Sequence, residues 1–401
     1  MESVPFTIAM PEQRLADMLR RVAATNWPDD VDNEDGYYGI RADYLRELAD
    51  YWVGDFDWRA VERQMNGYRH YRTHIDGFPI HYMRLAGKGP RPMPLILSHG
   101  WPWTFWDMRA VAEQLADPAA FGGDPADAFD VIVPSLPGFG FSVPVPRRGQ
   151  NFWTTADLWH QLMTGVLGFE CYAAAGGDWG AAITSQIAHK YADSLHGIHL
   201  LHPVPPNQFS GGEPAWDLTR GRLPDGPPEV RQAFVDFFRP KASHFTAHVL
   251  DSQTLSYAMH DSPVGLLAWL LKRRLDWGDT GGEVESVFPR EHLVATASLY
   301  WLTDSFSTSL RYYADAVRNP WTPAHDDRPM MKAPAGFTFL GGEFPPGVTL
   351  ENRIDTFRAG PVAPLYNVHY VNAHARGGHF GHYENPAALI GDIRATFRSL
   401  R

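Results

Sequence analysis

The run AAAGGDWGAAITSQIA, residues 173–188, passes from a short apolar stretch through Gly-Gly-Asp-Trp-Gly into a helix-like pattern. A sharp turn from strand to helix raises one side chain, and here that side chain is the carboxylate of Asp178. The N-terminus of the helix that follows favours its ionised form. A carboxylate is a poor acyl-transfer nucleophile, but it can displace a leaving group from saturated carbon and become an alkyl ester. Water then opens that ester at the Asp178 carbonyl, so the oxyanion of the second step forms on the enzyme's own side chain. Such chemistry requires a base for the water and donors for the oxyanion. ARGGHFGHYENP offers His379, with His382 as its neighbour and rival, and GFTFLGGEFPPG offers Glu343. The plain alternative is an Asp that only caps a helix.

The elements that must position these groups are legible as periodicities. Leu15, Met18, Leu19 and Val22 fall at i, i+3, i+4 and i+7, an amphipathic helix followed by Pro28. A second helical pattern over residues 41–66 is interrupted near Gly54, and HYRTHIDGFPIHYMRL reads as a hairpin around Asp76-Gly77. Buried strands follow at 94–100, 130–136, 171–176 and 197–203, alternating with helical stretches such as TTADLWHQLMTGVL. Between about 204 and 323 the alternation stops and helical patterns dominate. Strands resume at 335–342 and 366–373, and NPAALIGDIRATFRSL closes the chain as a helix. Strands that alternate with helices predict a mostly parallel sheet covered on both faces, an α/β fold. The expected organisation is an N-terminal extension over 1–90, a core over 91–203 and 324–401, and a helical lid over 204–323.

Strand, Gly-x-Asp-x-Gly and helix in this setting match the nucleophile elbow of the α/β-hydrolase fold, whose active residues occur in the order nucleophile, acid, histidine. Asp178, Glu343 and His379 keep that order, with His379 in a Gly-Gly loop that can approach the elbow. Glu343 would fix the tautomer of the ring and stabilise the imidazolium. The oxyanion donors would be the N–H groups of Trp179, after the nucleophile, and of Trp101 in HGWPWTF.

Composition removes several classes. The 401-residue chain carries 44% hydrophobic and 20% charged residues, with no segment near the roughly 20 apolar residues that span a bilayer. A net charge of −11 without a basic block argues against nucleic acid and anionic membrane. The single cysteine, Cys171, rules out an internal disulfide and sits in an apolar run as a packed thiol. The N-terminus has no signal-peptide pattern, and a cytoplasmic location is expected.

HGWP, VPSLPGFGFS, GGDWGA, DSPVGLLAW, RYYADA and GGHF with the later ENP resemble, in order and approximate spacing, the microsomal-type epoxide hydrolases. Residues 44–82 are similar to the region that precedes the catalytic domain in that family, so the resemblance covers nearly the whole chain. It implies opening of an epoxide to a vicinal diol, with no cofactor and no metal, on a small, largely apolar substrate. The chain is expected to be a soluble, bacterial version without the family's N-terminal membrane helix; a homodimer through the N-terminal segment stays open. The resemblance implies two lid tyrosines that protonate the ring oxygen. Tyr313 matches one, with Tyr312 pointing about 100° away on the same helix. The second falls on or near His244, a departure from the pattern, and Tyr257 and Tyr300 are the alternatives. Two rival readings stand beside this one: a haloalkane dehalogenase-type hydrolase using the same Asp, and a non-catalytic binding protein on the same fold.

Overall fold

Asp76 and Gly77 both have positive φ, 50° and 79°, the backbone of a two-residue hairpin turn that only Gly and small polar residues adopt readily. This turn places Ile75 opposite Phe78 and begins a nine-stranded sheet. The computed structural model describes residues 2–211 and 225–401. Its elements run β1 (Val4–Phe6), α1 (Glu12–Ala23), α2 (Ala42–Gly54), α3 (Trp58–Met65), β2 (Arg69–Ile75), β3 (Phe78–Leu85) and β4 (Met93–Ser98). Next come α4 (Arg109–Ala116), β5 (Phe129–Pro134), α5 (Phe152–Gln161), β6 (Tyr172–Gly176), α6 (Trp179–Lys190) and β7 (Leu195–Leu200). Four helices follow, α7 (Pro228–Asp261), α8 (Pro263–Trp277), α9 (Arg290–Leu302) and α10 (Ser305–Arg318), and the chain returns through β8 (Met331–Leu340), α11 (Arg353–Ala359), β9 (Tyr366–His374), α12 (Gly381–Glu384) and α13 (Pro386–Phe397).

The sheet order is β1-β2-β3-β5-β4-β6-β7-β8-β9. Pairing is antiparallel from β1 to β5 and parallel from β5 to β9. Every residue of β6 is buried, as expected for a strand with helices on both faces. Small side chains let α6 lie close on it. A Cβ at Gly176 would stand 2.6 Å from the Gly180 carbonyl carbon, and one at Gly180 would collide with the Ser98 carbonyl.

Two features depart from the periodicity. The edge strand β1 is too short to leave a pattern, and it forms because β2 offers a free edge. The helix α7 runs on through Pro240, a residue that usually breaks a helix, and departs from helical geometry at Asp251 instead, where φ is −125° and ψ is 27°. The N-terminal helices brace the helices between β7 and β8. Arg14 donates to the Trp301 and Leu302 carbonyls and pairs with Asp304 at 2.6 Å; Arg21 pairs with Asp261 at the end of α7. No helix among the described residues is long and apolar enough to cross a membrane.

Candidate active site

Asp178 stands between the last residues of β6 and the first of α6 with φ 53° and ψ −124°, a strained backbone for a residue with a Cβ. Its N–H donates to Nδ1 of His202 at 2.9 Å, which holds the turn and leaves the His202 proton on Nε2. A Cβ at Gly100 would run into the Asp178 side chain, so only glycine lets the loop after β4 come close enough for the Trp101 N–H to reach it. That N–H donates to Asp178 Oδ1 at 2.8 Å, and the Trp179 N–H also bonds the carboxylate. Burial works against the charge on Asp178, but the attraction of His379 and the two N–H donors outweigh it and hold its pKa below the usual value.

His379 follows β9, and its Nε2 lies 3.5 Å from Asp178 Oδ2. The contact is one of charges; Nε2 makes no aligned hydrogen bond. On the other side Nδ1 faces Glu343 Oε2 at 3.6 Å. Burial opposes a charged ring, yet the carboxylates of Asp178 and Glu343 prevail and raise the His379 pKa to about 9. The Gly-Gly pair serves a different approach from the one expected. A Cβ at Gly378 would stand 2.6 Å from the Trp277 carbonyl oxygen, so the glycines let the loop press on the end of α8, where the His379 N–H donates to that same oxygen at 2.9 Å. Glu343, just beyond β8, accepts from Lys241 of α7 at 2.7 Å. Burial would raise its pKa, but Lys241 first and His379 next hold it far below the ordinary range.

A cavity of about 580 Å³ opens over these groups, of a size usual for small-molecule sites. The helices between β7 and β8 contribute Phe237, Phe238 and His244 of α7, Trp277 of α8 and Tyr313 of α10 to its walls. Tyr313 is 3% exposed; burial and the charge of Asp178 push its pKa far up, so it keeps its proton. Tyr312 points elsewhere, its hydroxyl 3.0 Å from Thr155 Oγ1. His244 stacks on Trp101 with ring centroids 5.3 Å apart and stays neutral because burial disfavours its charge.

Two alternatives to His244 are corrected by their positions. Tyr257 is 71% exposed on the outer face of α7, and Tyr300 spends its hydroxyl on the Trp103 carbonyl at 3.0 Å, outside the cavity lining. The rival His382 is buried against Trp103 and also lines no part of the cavity. His202 and Lys241 are among the cavity residues that escaped the sequence reading. His202 lies just past the end of β7, and that position at a strand's carboxyl end was a usable signal. Lys241 left none, being one lysine on a mixed helix. His202, Glu343 and His379 bring ligand atoms within 4.8 Å of one another.

Residues 3–108 match the family described as "Epoxide hydrolase N terminus", and residues 93–303 match "alpha/beta hydrolase fold". A Stigmatella aurantiaca protein, named provisionally as an epoxide hydrolase, is 36% identical over 99% of this chain and 85% of its own length. "Epoxide hydrolase 1" of Oryctolagus cuniculus is 27% identical over 97% of this chain and 87% of its own. Among solved structures, Aspergillus niger epoxide hydrolase superposes with a TM-score of 0.78 at 24% identity, covering 100% of this chain and 97% of that one. The juvenile hormone epoxide hydrolase of Bombyx mori gives 0.77 at 22%, covering 100% and 94%; both demonstrate the shared fold. With a relative more than one-third identical along nearly its whole length, and the N-terminal region of that family ahead of the hydrolase core, the chain belongs to the epoxide hydrolase family of α/β hydrolases.

Proposed function

We propose that the enzyme opens an epoxide to a vicinal diol through an alkyl ester on Asp178. Oδ1 rests on the Trp101 N–H, so Oδ2 is the oxygen free to attack an epoxide carbon. As the ring C–O bond breaks, Tyr313 gives its proton to the ring oxygen, with His244 as a second donor beside it. Esterification removes the charge of Asp178, one of the two anions that hold the proton on His379. The imidazole is thereby released as a base, and the proton it gives up balances the one spent by Tyr313. Nε2 then takes a proton from water as that water attacks the Asp178 carbonyl carbon, and the resulting oxyanion on Oδ1 remains at the Trp101 and Trp179 donors. Glu343 stabilises the imidazolium until the ester collapses to diol and carboxylate. On this reading residues 204–323 act as the lid and residues 1–90 as its brace.

The observation that carries the proposal is the Asp178 carboxylate itself, gripped at one oxygen and facing His379 with the other. A halide-releasing reaction needs donors and no proton; the buried, protonated Tyr313 in the roof favours the epoxide. The test is a single turnover by excess enzyme in heavy-oxygen water. The first diol should be unlabelled, and repeated turnovers should load the label into the peptide that contains Asp178. Label in the first diol, with Asp178→Ala retaining the rate, overturns the covalent scheme.

A further inference from the structure

Four side chains that line the cavity together with Asp178 carry permanent or strongly favoured charge: Glu343, Lys241, His379 and Arg353. The first three are partnered, Lys241 with Glu343 at 2.7 Å and His379 with both carboxylates. Arg353 is different. Its guanidinium lies 3.7 Å from the Phe339 ring centroid and 6.0 Å from that of Phe344, and among the described residues it takes part in no ion pair and no hydrogen bond. Burial alone acts on it, lowering its pKa to about 10, so it remains a cation at neutral pH. The acidic residues nearest in sequence, Glu351 and Asp355, are exposed and do not pair with it.

A half-buried cation without a counter-ion costs solvation free energy that the aromatic faces return only in part. Phe339 and Phe344 hold the guanidinium plane in place, which lowers the ordering cost of a bidentate contact with a planar anion. The cavity that Arg353 and Asp178 both line is otherwise largely apolar, with Leu201, Pro203, Phe209 and Val362 on its walls.

We propose that Arg353 forms an anion subsite at one end of the cavity, and that the enzyme's preferred substrates are epoxides carrying a carboxylate at the end of an apolar chain. The carboxylate pairs with the Arg353 fork while the chain lies along the apolar walls and the ring reaches Asp178. This rests on the epoxide-opening reading for its chemistry, and the subsite itself does not.

The test compares a terminal-epoxide fatty acid with its methyl ester, in the wild-type enzyme and in Arg353→Met and Arg353→Lys. The wild type should prefer the acid in kcat/KM by about tenfold or more, chiefly through KM, as for a hydrogen bond to a charged group. Arg353→Met should bring the acid-to-ester ratio to about one, and Arg353→Lys should restore part of it. The ratio is taken within each variant, so a loss of folded protein does not change it. A wild type that treats acid and ester alike, or an Arg353→Met variant that keeps the preference, overturns the proposal. Calorimetric binding of dodecanoate against dodecanol separates the two readings. Arg353-dependent binding of dodecanoate without turnover of any epoxide sinks the reaction and leaves the subsite; turnover of epoxides with equal binding of both compounds does the reverse.

Discussion

Lys241, from α7, and Glu343, just past the end of β8, form a 2.7 Å ion pair that ties this helix to the carboxylate beside His379. The pair shares one charge between two neighbours: whatever Glu343 gives to Lys241 it withholds from His379. Lys241→Met should therefore raise the His379 pKa and move the acid limb of the kcat profile to higher pH, because the ring must be neutral to act as base. Lys241→Arg should return the limb to its original place. A variant with lower activity and an unshifted limb would assign Lys241 a packing role only.

His379 should titrate near 9 in the resting enzyme, followed by the NMR shift of its ring protons. Asp178→Asn removes one of the two anions that raise it, and the midpoint should fall, as it should in the trapped ester. The sign for stability follows from the raised value. Protonated His379 contributes stability fully below its unfolded pKa of about 6.5, and that contribution is lost as pH rises through about 9. Urea midpoints should reflect this decline in the wild type more than in Asp178→Asn.

Removing one hydroxyl at a time separates the adjacent tyrosines. Tyr313→Phe should lower the single-turnover rate of ester formation by about 10²-fold, the lower range for general acid catalysis, and should affect ester hydrolysis far less. Tyr312→Phe loses a hydrogen bond to Thr155 and should cost about 1 kcal/mol of stability with little change in rate. Equal effects on ester formation would remove Tyr313 from the acid's role.

At the elbow, Gly180→Ala places a methyl group against the Ser98 carbonyl, which belongs to the adjacent strand and cannot move without disturbing the sheet. The expected loss is about 3 kcal/mol, the upper end for overpacking, measured by denaturant unfolding. Gly391→Ala, on α13 with open space around it, is the control and should be neutral or slightly stabilising.

His202→Phe leaves the Asp178 N–H without its acceptor, which should cost about 1–3 kcal/mol and slow both chemical steps by loosening the strained turn. His202→Asn keeps an acceptor and should recover part of each loss. If His202→Asn, which lacks the ring, loses more than His202→Phe, the ring's stacking on His379, 4.5 Å between centroids, matters more than the hydrogen bond.

The sequence by itself determined the elements and the order of the candidate site residues along the chain. Apolar runs at strand length, glycines where backbones cross, and the Asp76-Gly77 turn are local requirements, set by φ/ψ and by the space around each residue. They were enough to place Asp178, Glu343 and His379 at the ends of β6, β8 and β9. Only the tertiary structure decided which side chains of the helices between β7 and β8 line the cavity. Tyr257 and His244 share α7 and Tyr300 lies on α9, yet only His244 lines the cavity, because the face a helix presents inward depends on how α7, α8, α9 and α10 pack on one another. The partners of Lys241 and Arg353 were hidden for the same reason: an ion pair across 102 residues, or the want of one, leaves no mark on local periodicity and is fixed by contacts distant in sequence.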